Sequence, residues 1–313
     1  MTREKIKAPH HHYLPKRNFQ EPDTQMAVID EAQNYLEYWG LDAKPFENNT
    51  NPDYFFESYD HIEALERLFY VVEEGNMNFG MLTGEIGCGK TITRSVFKKR
   101  LSPIRYEIVD LENANMAFKF ILFECLQRLG SHDQSARMTN DDLYYLTQEF
   151  KRLLKERIVQ RKKNLIIILD EAQQLSPESI IELKNLTNIT FDDQGFITVI
   201  LMGQPELVRT VKSLPQIDQR ISLRYHLNPL SEKDVGGYLK HRLLVAGHPD
   251  GHLFTPDAVQ ILCRVTGGIP REINRVCKLA IDRAYSLRLN MINEDMINAI
   301  ILDLHKQDGK LHG

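Results

Sequence analysis

Five short apolar runs alternate with helix-like segments between residues 79 and 227 of this sequence. The runs are continuously apolar, as in LIIIL at residues 165–169, which is typical of strands buried on both faces of a parallel sheet. Around them, apolar residues recur at helical spacing, as at Leu65, Leu68 and Val72. The alternation predicts an α/β fold in which helices cover both faces of the sheet. The predicted strands are 79–84, 105–111, 165–170, 196–203 and 221–227.

No strand pattern follows Pro229, and the rest of the sequence has the signals of four capped helices. Their predicted starts are Ser231, Thr255-Pro256, Pro270 and Asn293. We therefore predict an α/β domain over residues 25–228, a small all-helical lid domain over 229–305 and a tail over 306–313.

Residues 1–24 contain three prolines and few apolar residues, and five basic residues stand against one acid through Gln20. This composition predicts a basic flexible arm, which is either a solvated tail or a segment that touches a polyanion. The run His10–His12 lacks spaced partner ligands, so we expect no metal site from it.

The charge balance of 39 Lys+Arg against 43 Asp+Glu gives a formal net charge of −4, so any nucleic-acid surface has to be local. A hydrophobic content of 42% excludes collagen-like and wholly disordered chains. Four cysteines without a CxxC pair indicate free thiols in a reducing compartment. No apolar window of about 18 residues and no secretory signal occurs, which predicts a cytoplasmic chain without a membrane anchor.

The sequence GEIGCGKT after the first predicted strand has the G-x-x-x-x-G-K-T pattern of a phosphate-binding loop. Its glycines let backbone N–H groups wrap phosphates, and the following helix adds its positive end. Lys90 is predicted to reach the β- and γ-phosphates and Thr91 to ligate Mg²⁺, which makes ATP and Mg²⁺ the predicted cofactors. The predicted nucleotide-binding residues of this loop are Gly84, Glu85, Ile86, Gly87, Cys88, Gly89, Lys90 and Thr91.

Two acids, Asp170 and Glu171, end the apolar strand that begins at Leu165. We predict that Asp170 binds Mg²⁺ and the nucleotide, and that Glu171 orients and polarises the attacking water. The alternative is that the two acids only cap the helix that follows.

Gln204 follows the fourth predicted strand, at the edge of the sheet where ligands bind in α/β folds. It is predicted to form a hydrogen bond with the γ-phosphate or the water, or else to be a turn residue before proline.

Arg271 lies in the first turn of a predicted helix, where the helix dipole disfavours a positive charge. We predict that it contacts the γ-phosphate rather than solvent alone.

Arg220 directly precedes the fifth predicted strand. An arginine there is predicted to reach the nucleotide of a neighbouring subunit and to neutralise charge in the transition state. Arg224, within the strand, is the competing candidate.

Taken in order, these motifs resemble those of AAA+ ATPases, and more closely the ExeA/GspA-type branch. The resemblance covers about residues 36–290 and is carried by YWGLDAKPFENNTNPDYFFES, LTGEIGCGKT, LIIILDEAQQLSPE, VILMGQPEL, DQRISLRYHLNPLS and TGGIPREINRVC. It implies a P-loop ATPase that assembles through its subunit interfaces. The roles it implies are Walker B for Asp170 and Glu171, sensor 1 for Gln204, arginine finger for Arg220 and sensor 2 for Arg271. The loop around Pro45-Phe46 would line the adenine pocket, or else pack in the core.

Secretion members of this branch look like longer proteins, which add a membrane span and a peptidoglycan-binding module after the ATPase. We find neither feature before Gly313. Soluble chains of this kind also resemble transposition-helper ATPases, which bind duplex DNA as ATP-bound oligomers and engage a transposase. This resemblance leads us to expect a homo-oligomer, duplex DNA and a transposase or other protein as partners.

Two basic helices favour DNA. Residues 151–163 hold seven basic residues and one acid, and the helix after the phosphate loop holds Arg94, Lys98, Lys99 and Arg100. Each of these helices is either a solvated face or a set of contacts to DNA phosphates. Neither has the aromatic residues of a base-stacking surface.

Three functions follow. The first is a slow, partner-stimulated ATPase that regulates transposition on DNA. The second is a cytoplasmic ATPase for secretion or envelope assembly, and the third is a nucleotide-dependent interaction switch with little turnover.

Overall fold

The computed structural model describes residues 35–74, 77–112, 115–131 and 142–309. The predicted arm 1–24 and its run His10–His12 lie outside the described residues, as does the end of the predicted tail, 310–313.

Five parallel strands form one sheet in the order β2-β3-β6-β1-β7. They are β1 (Phe79–Gly84), β2 (Tyr106–Leu111), β3 (Asn164–Leu169), β6 (Ile197–Gly203) and β7 (Ile221–Leu227). Every residue of β1 and β6 is buried, as expected of strands covered on both faces. The predicted parallel sheet is therefore confirmed, with each strand within one residue of its predicted bounds.

Helices account for most of the remaining described chain. Before and within the sheet region these are α1 (35–39), α2 (Tyr59–Glu73), α3 (Lys90–Arg100), α4 (Phe118–Arg128), α5 (Asp142–Leu153), α6 (Pro177–Thr187), α7 (Glu206–Lys212) and α8 (Pro215–Asp218). After the sheet come α9 (Glu232–Val245), α10 (Pro256–Thr266), α11 (Pro270–Ser286) and α12 (Glu294–Gly309). Short 3-10 turns occupy Pro52–Tyr54 and Ala172–Gln174.

Helices cover both faces of the sheet, as predicted. On one face α4, α5 and α6 bury residues such as Leu122, Phe150 and Leu183 against the sheet. On the other face α2 and α3 bury Leu65 and Phe97 in a separate core. The sheet is thus the middle layer of three.

The C-terminal helices α9 to α12 share a third core. The segment before the sheet belongs to it, because Trp39, Leu41 and Phe46 pack among these helices. The buried guanidinium of Arg242 also donates to the carbonyls of Pro45 and Glu47, each at 2.6 Å. We predicted this segment as part of the α/β domain 25–228, whereas its side chains pack with the lid helices.

Two local features were not predicted. A two-residue hairpin pairs β4 (Thr190–Phe191) with β5 (Gln194–Gly195), and its turn residues Asp192 and Asp193 have positive φ. Helix α5 continues directly into a π-helical turn, Leu154–Val159. Such short elements lack a hydrophobic period long enough to read from sequence.

All four cysteines are free thiols, as predicted. Within the described ranges, no helix combines the length and the apolar character needed to cross a bilayer.

The lid core offers a test through Trp39, the single tryptophan of the chain. Leu243 is fully buried in this core, whereas its neighbour Leu244 is 45% exposed. We expect Leu243→Ala to lower the free energy of unfolding by about 3 kcal/mol, because it leaves a cavity. Leu244→Ala should change it by less than about 0.5 kcal/mol. Urea unfolding followed by Trp39 fluorescence measures both, and equal losses would contradict this packing.

Candidate functional site

The loop between β1 and α3 wraps tightly at its glycines. Gly87 and Gly89 have φ of 87° and 100°, a conformation that favours glycine. A Cβ on Gly84 would lie 2.7 Å from the carbonyl oxygen of Leu227 on β7. Lys90, at the start of α3, donates from Nζ to the carbonyls of Gly84 at 2.7 Å and Glu85 at 3.0 Å. The loop therefore has the backbone geometry to wrap an anion.

Asp170 lies beside this loop, immediately after β3. Thr91 Oγ1 donates to Asp170 Oδ2 at 3.4 Å, and the N–H of Glu171 donates to Asp170 Oδ1 at 2.9 Å. Burial raises the pKa of the Asp170 carboxyl, and the nearby guanidinium of Arg94 opposes that shift. A hydroxyl and a carboxylate at this spacing are hard oxygen ligands that fit Mg²⁺, which proteins usually hold through few carboxylates plus phosphates.

Glu171 adopts the left-handed conformation, with φ 54° and ψ 34°. Its Oε2 accepts hydrogen bonds from Gln173 Nε2 at 2.7 Å and Gln204 Nε2 at 3.3 Å. Gln173 Oε1 also accepts from the N–H of Gln204 at 3.0 Å. The structure thus brings together the predicted residues Glu171 and Gln204 and adds Gln173, which the sequence reasoning missed.

Arg271 reaches the loop from the lid. Its N–H donates to the carbonyl of Gly87 at 3.3 Å, and a Cβ on Gly87 would lie 2.6 Å from Arg271 Cβ. Its side chain is exposed and lines the cavity. The γ-phosphate contact of Arg271 stays a prediction.

A cavity of about 420 Å³ opens between the phosphate loop and the lid, within the size range of small-molecule sites. It is also lined by Asn48, Tyr54 and Phe56 and by Tyr238 and Asn274 of the lid. Asn274 bridges the two sides, because it accepts from Tyr238 Oη at 2.7 Å and donates to Asn48 Oδ1 at 3.0 Å.

Phe46 does not line this cavity. It is buried in the lid core, edge-on to Phe254 at 5.9 Å between ring centroids. For Phe46 itself, core packing is therefore the correct interpretation, whereas other residues of the same loop do line the cavity. The cavity is lined instead by the following residues, 48–50 and 54–56.

Arg220 and Arg224 differ in their contacts. Arg224 is held within its own chain, because its Nη2 lies 2.6 Å from the Asp218 carbonyl and 2.7 Å from Asp218 Oδ1. Arg220 is exposed and forms no ion pair with any described residue. It precedes β7, whose start pairs with the start of β1, so it lies about 20 Å from the phosphate loop at 3.3 Å per residue.

The basic residues of α3 are engaged by carboxylates of the same chain. Arg94 is 3% exposed and contacts Asp110 and Asp170 as well as Glu112. Lys98 pairs with Asp110, and the exposed pairs Lys99–Asp53 and Arg100–Glu57 complete the set. The expectation that this helix is a solvated face or a phosphate-contact face is wrong for Arg94, because that side chain is buried.

His61, on α2, is a second residue that the sequence reasoning missed. Its Nε2 lies 3.1 Å from the Cys88 carbonyl, so this nitrogen carries the donating hydrogen. Its Nδ1 lies 2.7 Å from Ser58 Oγ. Burial lowers the pKa of His61, in keeping with a neutral ring. A single histidine on a helix gives no sequence signal of this contact.

A parallel sheet of this order, with a phosphate loop after β1, an acidic pair after β3 and a helical lid, defines a P-loop nucleotide-binding fold of the AAA+ kind. The family described as AAA domain matches residues 73–211. Residues 73–211 thus form an AAA domain, and the chain has the AAA+ fold.

It is 36% identical to General secretion pathway protein A of Aeromonas hydrophila over 255 residues, which are 80% of this chain and 45% of the relative. The chain therefore spans less than half the length of this relative.

Solved structures show the same fold. The ORC2 protein of Aeropyrum pernix, in ADPNP-ADP complexes, matches with a TM-score of 0.65 and 20% identity, over 84% of this chain and 72% of that chain. The ORC1 protein of Aeropyrum pernix, in complex with DNA, matches with a TM-score of 0.59 and 15% identity, over 82% and 68% of the two chains.

The contact of His61 with the phosphate loop can be tested with His61→Ala. This change leaves the buried Cys88 carbonyl without its donor, so we expect a loss of about 1–3 kcal/mol in the free energy of unfolding. We also expect weaker binding of a fluorescent ATP analogue, because the loop loses a support. His252→Ala, at an exposed histidine of the lid, is the control and should change neither. Unchanged stability and binding in His61→Ala would refute a supporting role.

Proposed function

We propose that this chain binds ATP with Mg²⁺ and hydrolyses the γ-phosphate slowly, with stimulation by a partner. One observation carries the proposal. The cavity beneath the lid is lined by the phosphate-loop residues Lys90 and Thr91 together with Glu171, and Asp170 lies against Thr91. These groups supply cation binding, phosphate binding and a base at a single place.

The division of labour follows from the chemistry of each group. The loop N–H groups and Lys90 hold the phosphates, and Thr91 and Asp170 supply oxygen ligands to Mg²⁺, which neutralises charge on the phosphates. Glu171 accepts the proton of the attacking water. Gln204 contacts the γ-phosphate from the sheet and Arg271 contacts it from the lid, so loss of this phosphate removes one contact on each side of the cavity.

Burial lowers the pKa of Lys90, and the carboxylates of Glu171 and Asp170 oppose that shift. A bound triphosphate adds further negative charge near Nζ and so favours the charged lysine.

We propose a homo-oligomer in which the exposed Arg220 of one copy reaches the nucleotide of the next. Support comes from its exposure and from its distance to the phosphate loop of its own chain. Arg224 is the weaker candidate, since Asp218 already binds it.

The oligomer's proposed use is to bind duplex DNA and to regulate transposition with a transposase or other protein. The supporting surface is a basic ridge, defined as Lys151, Lys155, Arg161 and Lys162, which are exposed and form no ion pair with described residues. Within the same run, Arg152 and Lys163 are paired with acids. The likeness in fold to an ORC1 protein in complex with DNA is compatible with this use.

A second function is favoured by the identity to General secretion pathway protein A. On that proposal the chain is a cytoplasmic ATPase for secretion or envelope assembly, and the basic ridge is a solvated helix face. The third function, a nucleotide-dependent switch with little turnover, requires the same cavity without an effective base.

Glu171→Gln tests hydrolysis. It keeps the size of the side chain and removes the base, so we expect kcat to fall by at least about 100-fold while ATP binding is retained. Phosphate release and binding of a fluorescent ATP analogue measure the two effects. Glu178→Gln, an exposed acid on α6, is the matched control and should hydrolyse at the parent rate. Hydrolysis at the parent rate by Glu171→Gln removes Glu171 from this role.

Charge reversal on the basic ridge tests DNA binding. In the triple variant Lys155→Glu, Arg161→Glu, Lys162→Glu, we expect weaker binding of duplex DNA in the presence of ATP. We also expect the slope of log K against log salt, which is negative, to become less steep by about 0.9 for each DNA phosphate that the protein no longer neutralises.

The control reverses three exposed charges of the lid, Lys233, Lys240 and Arg264, and should keep the parent slope. Absence of DNA binding by the parent chain at low salt with ATP would reject the transposition proposal and favour the secretion proposal.

A further inference from the structure

Gln173 uses both ends of its amide at the candidate site. Its Nε2 donates to Glu171 Oε2 at 2.7 Å, and its Oε1 accepts from the N–H of Gln204 at 3.0 Å. A carboxylate can only accept and a backbone N–H can only donate, so the two partners fix which end of the amide faces which. Gln173 therefore connects the turn after β3 with the end of β6.

Close packing keeps the amide in this place. A Cβ on Gly203 would lie 2.6 Å from Gln173 Oε1, so the glycine at the end of β6 makes room for it. On the other side, Glu171 is held at φ 54°, which costs a non-glycine residue about 1–3 kcal/mol. This backbone conformation lets the side chains of residues 171 and 173 meet.

The two amide donors to Glu171 are unequal. Gln204 Nε2 lies 3.3 Å from Oε2, while Gln173 Nε2 lies at 2.7 Å. Oε1 of Glu171 accepts no hydrogen bond from the described residues. If the Gln204 side chain turns to a phosphate, Gln173 still holds the glutamate through Oε2 and leaves Oε1 for the water.

We infer that Gln173 is a positioning residue that orients the carboxylate of Glu171 for the attacking water. It acts through Glu171 and makes no contact with substrate. This inference rests on the proposed ATP hydrolysis. Its physical basis is that a base on a flexible side chain is effective only when held in the productive geometry.

Gln173→Met tests the inference with a side chain of similar length that forms no such hydrogen bond. We expect kcat to fall at least about tenfold, the scale of a missing supporting hydrogen bond in an active site. ATP affinity, measured with a fluorescent analogue, and KM should stay within twofold of the parent. Gln174→Met, at the exposed neighbour, is the matched control and should keep the parent kcat. A parent-like kcat in Gln173→Met overturns the inference.

Gln173→Glu separates the two ends of the amide and serves as a second, polar variant. It keeps an acceptor for the N–H of Gln204, but it loses the donor and places a second carboxylate beside Glu171. We expect kcat to fall at least as far as in Gln173→Met. A parent-like kcat in Gln173→Glu would mean that only the contact with Gln204 matters, and would overturn the role through Glu171.

The double variant Gln173→Met, Glu171→Gln tests whether the effect passes through Glu171. We expect its residual rate to equal that of Glu171→Gln within twofold, because the group that Gln173 positions is already gone. A further tenfold loss overturns the inference. If Glu171→Gln itself keeps the parent rate, the proposed function of Glu171 fails and the inference with it. If only the Gln173 variants keep the parent rate, the proposed function stands and the inference alone fails.

Discussion

Parallel pairing of β1 between β6 and β7 is the constraint on which the site depends. In this register Thr83 lies opposite Gly203, and Gly84 lies opposite Leu227. Parallel strands end at a common edge, so the phosphate loop, the acids after β3 and Gln204 emerge side by side. Long-range hydrogen bonds between residues 171, 173 and 204 then need only short turns to form. The chemistry is local in space because the strands are parallel, although its residues are 120 positions apart in the sequence from Gly84 to Gln204.

The lid is attached to this edge by backbone as well as side-chain contacts. The backbone contact is the hydrogen bond from Arg271 N–H to the Gly87 carbonyl at 3.3 Å. Arg242 of the lid holds the segment before the sheet, because its guanidinium lies 4.5 Å from the Tyr54 ring centroid and donates to the Pro45 carbonyl. The loop whose residues 48–50 and 54–56 line the cavity is thus held by the lid core.

Much of this arrangement could be predicted from the sequence, and the reasons are physical. The strands β3 and β6 are continuous apolar runs, and the caps Ser231 and Thr255 mark helix starts that the structure confirms. The phosphate loop has a pattern because its backbone requires glycine at set positions. Contacts that depend on tertiary packing have no such pattern. His61 and Gln173 look like ordinary polar residues of a helix and a turn, and Trp39 could have joined either core.

The charges of α3 show why a basic run is a weak indicator of a nucleic-acid surface. Arg94 is buried, and a buried cation is retained only when it is paired. It lies 3.4 Å from Asp170 Oδ2 and 3.3 Å from Asp110 Oδ1, and it also contacts Glu112. One guanidinium therefore contacts three carboxylates and cannot neutralise all of them. It offsets part of the cost of burying Asp170, and this carboxylate can still bind a cation. Arg94 therefore acts at the site from the interior, while the exposed Lys99 and Arg100 are already paired with Asp53 and Glu57.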